Sequence, residues 1–130
     1  MSSASSHDRG PLLAAGVLGL LAVGLGAMGA HGLKAVLMER GMTQAWETAA
    51  RYHAIHAVAL LGLAAWARAD GKTRVAAITW SWVAGTVLFS GSLYGLALGG
   101  PRWLGPVTPL GGLAFMLGWL LVAVQAWRRR

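Results

Sequence analysis

The sequence contains no cysteine, which excludes a disulfide framework, an iron–sulfur cluster and a thiolate metal site. It is also poor in charge: 12% of its residues are Asp, Glu, Lys or Arg, whereas a soluble domain carries about 25%. Acidic residues are the scarcer kind, with four against eleven basic ones among 130 residues, a formal net charge of +7. Hydrophobic residues make up 56% of the chain. These figures exclude an ordinary water-soluble domain and indicate a membrane protein.

What the chain does have is four apolar segments joined by short polar connections. Residues 1–10 are polar and Ser-rich, which predicts a disordered N-terminal tail. Residues 11–130 form one membrane domain with predicted spans at about 11–33, 48–67, 75–98 and 108–127, since about 20 residues cross the hydrocarbon core of a bilayer. The predicted fold class is all-α, an integral membrane four-helix bundle of up-down topology.

The first apolar segment has a competing interpretation as a signal peptide, because Arg9 precedes it and small residues lie near its end. The segment is long for a signal peptide, however, with no charged residue from Gly10 to Leu33, and further apolar segments follow it. We therefore predict that it is a membrane span.

The basic residues flank the apolar segments, which makes them topology signals and not a nucleic-acid surface. With four spans, one face of the membrane carries seven of them: Arg9, Arg68, Lys72, Arg74, Arg128, Arg129 and Arg130. The opposite face carries four: Lys34, Arg40, Arg51 and Arg102. The positive-inside rule then predicts that both termini are cytoplasmic.

Tryptophan and glycine predict how the spans are anchored and packed. Tryptophan prefers the headgroup level of a bilayer, and six tryptophans lie near predicted span ends while Trp119 lies mid-span: Trp46, Trp66, Trp80, Trp82, Trp103 and Trp127. Membrane helices associate through close backbone contact at small residues. The glycines predicted to make such contacts are Gly19 and Gly26 in the first span and Gly91, Gly95 and Gly99 in the third.

Hydrogen-bonding side chains from four segments are predicted to meet at the extracytoplasmic end of the bundle. We call this set the polar cluster: His31, His53, His56, Thr86, Ser90, Tyr94 and Thr108. Polar groups in lipid require partners, which favours a structural hydrogen-bond cluster. The alternative is a ligand pocket, or a metal or haem site held by the histidines. No cysteine or intramembrane carboxylate joins them, and we predict no metal.

Neither catalysis nor ion-coupled transport has a recognisable set of residues. Ser90 with a histidine base would lack the GxSxG turn that exposes a nucleophilic serine. No acidic residue lies in a predicted span, so a proton- or cation-coupled transporter has no coupling group. We therefore predict no enzymatic activity and no cofactor.

Two parts of the chain resemble a known family. LGAMGAHGLK (25–34) is followed by Trp46-Glu47-Thr48-Ala49, Tyr52 and His56-Ala57, and GTVLFSGSLYGLAL (85–98) is followed by LGPVTPLGGLAFMLGW (104–119). Together they resemble the small YgdD-like membrane family, a domain of unknown function, over about residues 12–127. The resemblance implies four membrane helices in a bacterial inner membrane and no established activity. His53 does not belong to the family-like positions, which are His31, Trp46, Tyr52, His56, Ser90, Tyr94 and Pro109.

The sequence thus predicts a small multipass inner-membrane protein that acts as a structural or accessory component of a membrane assembly. Its expected partners are the lipid bilayer and other membrane proteins or further copies of the chain, and no nucleic acid. The alternative is a small permease or ligand-binding membrane protein that uses the polar cluster as its site.

Overall fold

The computed structural model describes residues 6–129, and this range is helical with no strand in it. A π-helical segment at Thr86–Ser90 joins α4 to α5, so that residues 76–97 form one continuous helix, the α4–α5 helix. The all-α prediction is confirmed. The α-helices are Ser6–Ala30 (α1), Lys34–Glu39 (α2), Thr43–Asp70 (α3), Ala76–Gly85 (α4), Gly91–Ala97 (α5) and Leu104–Trp127 (α6).

Three helical stretches are long and apolar enough to cross a membrane: Asp8–Ala30, Ala76–Ala97 and Leu104–Trp127. They correspond to the first, third and fourth predicted spans. The predicted second span lies in α3, which at 28 residues is longer than expected but is not among the three. Its end turns contribute charged residues to the helix: Glu47, Arg51, Arg68 and Asp70.

The N-terminal prediction needs a correction, because α1 begins at Ser6 and residues 6–10 are helical. Asp8 lies in the first turn of α1, where a negative side chain interacts favourably with the positive end of the helix dipole. The predicted disordered tail is therefore too long at its C-terminal end. Its first part, residues 1–5, lies outside the described residues.

The helix α1 packs along α3 through a narrow seam that repeats at intervals of three and four residues. Ala15, Leu18 and Ala22 are its buried apolar members, and this spacing keeps one face of a helix against a partner. At the far end of the seam, the indole Nε1 of Trp46 donates to the carbonyl of Leu25 at 2.9 Å. Since this bond joins the start of α3 to the end of α1, the two helices are antiparallel.

The α4–α5 helix packs antiparallel to α3 and to α6. On the α4–α5 helix, the ring of Tyr94 lies 4.6 Å from that of Trp46, and the ring of Trp82 lies 6.0 Å from that of His56. Residue numbers therefore rise along α3 as they fall along the α4–α5 helix. The same holds for α6: Thr108 contacts Ser92 near one end, and Gly118 closely approaches Trp82 near the other.

The turn between α3 and α4 is tied to the C-terminal end of α6. Arg129 forms an ion pair with Asp70 and donates to the hydroxyl of Thr73 at 2.8 Å, and Thr73 in turn donates to Asp70 at 2.7 Å. The side-chain amide of Gln125 bonds both backbone groups of Arg74, accepting from its N–H at 3.0 Å and donating to its carbonyl at 2.6 Å. The turn between α3 and α4, on the predicted face that carries both termini, is therefore held in place by side-chain bonds to α6.

The start of α6 differs from the prediction. The helix begins at Leu104, so Pro109 lies inside it and not in its first turn. Pro106 occupies the first turn instead, where a missing N–H costs nothing because that group has no partner within a helix.

Large apolar side chains divide between a continuous interior and an exposed periphery. The interior contains Leu60, Ile78 and Phe115 among others, whereas residues such as Leu20 and Val23 of α1 point outward. An apolar periphery is what lipid-facing helices present. The tryptophans divide as well: Trp80, Trp103 and Trp127 are exposed, as expected of interfacial anchors, but Trp46 and Trp82 are buried and pack inside the fold. Their headgroup depth stays a prediction, and the structure adds that both indoles pack against other helices.

Candidate polar site between the helices

Ser90 makes the most buried contact of the polar cluster. It is the last residue of the π-helical segment, and its hydroxyl donates to the carbonyl of Ala49 on α3 at 2.8 Å. A π-helical turn contains one more residue than an α-helical turn and often lies at a functional site. Here the segment directs Ser90 toward α3, and the bond joins two helices through a group that has no water to bond in lipid.

A second hydroxyl contact joins the α4–α5 helix to α6. The oxygens of Ser92 and Thr108 lie 2.5 Å apart, and Ser92 also donates to the carbonyl of Phe89 at 2.9 Å. Thr108 also has a backbone acceptor in its own helix, the carbonyl of Leu104 at 3.4 Å, so either hydroxyl can be the donor between the two side chains. Each hydroxyl therefore has its partner inside the chain.

His56 has both ring nitrogens engaged. Nδ1 lies 2.7 Å from the carbonyl of Tyr52 and donates to it, so Nε2 accepts from the indole of Trp119 at 3.1 Å. These partners assign a neutral imidazole protonated on Nδ1. The ring also stacks on Phe115, with centroids 3.6 Å apart and planes 6° apart. His56 is thus held between α3 and α6 on four sides of its ring.

His53 bonds a different helix. Its Nδ1 lies 3.1 Å from the hydroxyl of Tyr94, and its side chain is 3% exposed. Its other ring nitrogen, Nε2, is buried and makes no well-aligned hydrogen bond among the described residues, although the backbone of Leu18 on α1 lies beside the imidazole. Tyr94 also packs on Trp46, which itself bonds the end of α1. This line of contacts connects α1, α3 and α5.

Two residues of the polar cluster, His31 and Thr86, make no side-chain hydrogen bond to another helix among the described residues. His31 lies in the turn after α1 and is exposed, and no hydrogen bond or ring contact connects it to the other histidines in the part of the chain that the structure describes. Thr86 is buried, but its hydroxyl donates to the carbonyl of Trp82 in its own helix at 2.9 Å. Threonine commonly forms this bond in membrane helices, and it fixes no neighbouring helix.

The glycines predicted to pack the helices fall into two groups, those that lie close to a neighbouring side chain and those that do not. A Cβ added at Gly95 would lie 2.8 Å from the side chain of Leu104, and one added at Gly99 would lie 2.6 Å from the guanidinium of Arg40. Nothing described lies within 4 Å of the corresponding position at Gly19, Gly26 or Gly91. Within one chain no described neighbour lies where these three glycines would carry a Cβ, and on α1 the seam with α3 runs through Ala15, Leu18 and Ala22 instead.

Sequence reasoning missed several residues that make the site. Gly111 and Gly118 of α6 lie directly against Phe89 and Trp82, with no room for a Cβ. Trp119, predicted to lie mid-span without a partner, donates from its indole to His56. Its mid-span position was the available signal, since a buried indole N–H requires an acceptor. The carbonyl of Ala49 carries no signal in the sequence at all.

The chemistry of this site is that of neutral donors and acceptors. Across residues 8–129, no group of three or more His, Cys, Asp or Glu side chains is placed to hold a metal ion. The hydroxyls of Ser90, Ser92 and Thr108 are bonded to the protein itself. The arrangement joins four helices and leaves two buried ring nitrogens without a described partner, the Nε2 of His53 and the indole Nε1 of Trp82.

Comparison with known proteins identifies several relatives. A family model described as "Protein of unknown function (DUF423)" matches residues 25–112. The UPF0382 membrane protein YwdK of Bacillus subtilis is 45% identical over 108 residues, covering 82% of this chain and 87% of YwdK. The UPF0382 inner membrane protein YgdD of Escherichia coli K12 is 42% identical over 128 residues, covering 93% of this chain and 92% of YgdD. No solved structure matches the chain.

Proposed function

Because the chain belongs to the DUF423 family of proteins of unknown function, we propose that it is a non-catalytic structural or accessory component of a membrane assembly. The family assignment confirms the YgdD-like resemblance, and the chain is a transmembrane protein. The observation that carries the proposal is the internal bonding of the polar cluster. Three of its four hydroxyls, those of Ser90, Tyr94 and Thr108, are occupied by bonds between helices, which is the chemistry of a scaffold.

We further propose that α3 is the fourth span, which completes an up-down four-helix bundle. Its 28 residues extend about 42 Å at 1.5 Å per residue, more than the about 30 Å of a bilayer core. Its uncharged stretch from Tyr52 to Ala67 lies centrally in the helix. The antiparallel contacts on both of its sides support a helix that crosses with its neighbours.

Both termini then lie on the more basic face, which we propose is cytoplasmic by the positive-inside rule. The ion pair between Arg129 and Asp70 belongs to this face. We propose the bacterial inner membrane as the location, because a relative 42% identical to this chain is described as an inner membrane protein.

The surface proposed for assembly is the open side of α1. Gly19 and Gly26 lie seven residues apart on α1, with nothing described within 4 Å of a Cβ at either position. A helix face without bulk allows a second membrane helix to approach closely. We propose that this face receives a helix of a partner membrane protein or of another copy of the chain.

The experiment is native mass spectrometry of the protein purified from its membrane in a mild detergent. We expect a complex with a second membrane protein or with further copies, and its loss in the double variant Gly19→Leu, Gly26→Leu. The control is Gly24→Leu, because Gly24 is also open but points to a different side of α1. A wild-type chain that is solitary contradicts the proposal, as does equal assembly in all three proteins. Unchanged circular dichroism verifies that the variants still fold.

A ligand-binding or permease function is the second candidate, and the unpartnered Nε2 of His53 favours it. A bound molecule that accepts or donates a hydrogen bond there would remove this unsatisfied group. In that case the wild-type protein retains a small molecule, which His53→Ala loses without a change in melting temperature. Under the structural proposal, His53→Ala lowers the melting temperature and no small molecule is retained.

A further inference from the structure

A groove of about 830 Å³ opens between the N-terminal half of α1 and α4. It lies at the end of the molecule opposite the contact between Trp46 and Leu25, and its walls are almost entirely apolar. The wall residues that matter here are Leu13, Ala14 and Val17 on α1 and Ala76, Trp80 and Val83 on α4. A long apolar groove on the side of a membrane helix pair has the shape of an acyl chain.

The groove contains one polar side chain that the protein leaves unsatisfied. Thr79 lines it, is 8% exposed, and its hydroxyl has no hydrogen-bond partner among the described residues. Thr86, which lies two turns further along the same helix, donates its hydroxyl to the carbonyl four residues before it at 2.9 Å. The hydroxyl of Thr79 makes no such bond. A hydroxyl buried without a partner is costly in lipid, so a ligand atom that accepts its proton stabilises the site.

Arg74 lies at the mouth of the groove. Its side chain is exposed and lines the groove, while its backbone is held by the amide of Gln125. Arg74 precedes α4, and Thr79 follows in the first turn of that helix, so the two side chains belong to the same end of the groove.

We propose that this groove binds one anionic phospholipid. Its phosphate pairs with the guanidinium of Arg74, and one acyl chain lies between α1 and α4. An ester carbonyl accepts from the hydroxyl of Thr79, which is buried in the unliganded structure and turns toward the groove by rotation of the side chain. The three groups of the lipid follow the order of Arg74, Thr79 and the apolar walls. This lipid site does not depend on the proposed assembly role, because it lies on other residues than the open glycines of α1.

The experiment is native mass spectrometry of the purified, delipidated protein titrated with phosphatidylglycerol, with phosphatidylcholine and with inorganic phosphate. We expect one phosphatidylglycerol per chain, weaker binding of phosphatidylcholine, and no competition by inorganic phosphate. Equal binding of the two lipids overturns the proposal, since it indicates unspecific lipid contact. Competition by inorganic phosphate also overturns it, because it indicates an anion site without an acyl-chain requirement.

Matched variants locate the site. Arg74→Gln is expected to weaken phosphatidylglycerol binding about fivefold, and Thr79→Val, which keeps the shape and removes the hydroxyl, about fivefold. Lys72→Gln is the charge-matched control, because Lys72 lies in the same turn but does not line the groove. Ala76→Leu fills the groove and is expected to reduce binding as well.

Two results of this series contradict the proposal. The first is binding that Lys72→Gln weakens as much as Arg74→Gln, since that identifies a general basic surface. The second is a change of oligomeric state in Ala76→Leu without a change in lipid binding, since that identifies the groove as a contact between copies. Thr79→Val alters no charge and little volume, so it tests the site even if Ala76→Leu fails to fold.

Discussion

Thr86 and Ser90 lie four residues apart on the same helix, and both hydroxyls are buried, but their acceptors lie on different helices. Thr86 donates to its own helix, whereas Ser90 donates to the carbonyl of Ala49 on α3. A bond within a helix is present whether or not the helices associate. A bond between helices exists only in the assembled fold, so only Ser90 contributes to the stability of the packing.

Ser90→Ala is therefore expected to lower the free energy of unfolding by about 0.6–1.7 kcal/mol, the range measured for hydrogen bonds between membrane helices. The measurement is reversible unfolding in detergent micelles, followed by circular dichroism. Thr86→Val is the control, because it removes a hydroxyl of the same burial from the same helix. We expect Thr86→Val to lower the free energy of unfolding clearly less. Equal losses in both variants would show that the bond between helices contributes no more than the bond within one helix.

Residue types and spacing predicted which side chains carry hydrogen bonds, but not their partners. His53, His56 and Ser90 were predicted from their positions in apolar segments, and each contacts a neighbouring helix. His31 was included because it lies at the end of the same predicted span, yet it is exposed. Partners such as the carbonyl of Ala49 depend on the rotation of one helix about its axis, which single residues do not specify.

At the scale of the helices, contact depends on which glycines face a neighbour. Gly111 and Gly112 are adjacent in α6, but a helix turns by about 100° per residue, so they face different surroundings. A Cβ at Gly111 would collide with the backbone of Phe89, whereas one at Gly112 would lie 3.8 Å from its ring, an ordinary contact. The close approach of α6 to the π-helical segment therefore depends on one of the two.

Gly111→Ala is expected to push α6 away from the α4–α5 helix and to destabilise the protein by about 1–3 kcal/mol, as overpacking does in a filled interior. The readout is the melting temperature in detergent. Gly112→Ala adds the same methyl group to the same helix and should leave the melting temperature unchanged or slightly raised, because alanine is the better helix former. A drop of similar size in Gly112→Ala would indicate a general sensitivity of α6.

Element boundaries were partly predictable. Apolar length identified three helices as spans, and Gly71, with its positive φ of 64°, ends α3 where a left-handed residue is needed. The π-helical segment was not predictable, because Thr86–Ser90 contains no proline or glycine that marks an irregularity. Small residues lie on several faces of α1, so their pattern does not say which face meets α3. The seam runs through Ala15, Leu18 and Ala22, and contact of Gly19 and Gly26 with another helix stays a prediction.

For the whole molecule, the proposed topology separates three connections: that between α1 and α3, that between α3 and α4, and that between α5 and α6. Only the second is expected on the cytoplasmic side. The absence of cysteine makes this directly testable, because any cysteine introduced is the one thiol in the chain.

Glu39→Cys and Arg102→Cys are expected to react with a membrane-impermeant maleimide in intact cells, and Lys72→Cys only after the cells are opened. All three positions are exposed in the structure. Labelling is read from the mass of the purified protein, with the cysteine-free wild type as the blank. Labelling of Glu39→Cys and Lys72→Cys from the same side contradicts a membrane-spanning α3. The reverse pattern at all three positions contradicts the orientation.

The ion pair of Arg129 ties the end of α6 to the end of α3, and its guanidinium also lies 5.0 Å from the ring of Trp66. Both partners are about a quarter exposed, so we expect a modest contribution, about 0.2–1 kcal/mol. Arg129→Gln should lower the melting temperature slightly at low salt and less at high salt, where charges are screened. Arg128→Gln is the control, and a loss that does not depend on salt would indicate packing on Trp66 instead.

The bonds between Gln125 and Arg74 also have a mechanical consequence. The α4–α5 helix and α6 are joined covalently at one end by residues 98–103 and non-covalently at the other by this amide. Two rods fastened at both ends cannot slide along each other. A shift of α6 by one helical turn, about 5.4 Å, therefore requires one of the two connections to open.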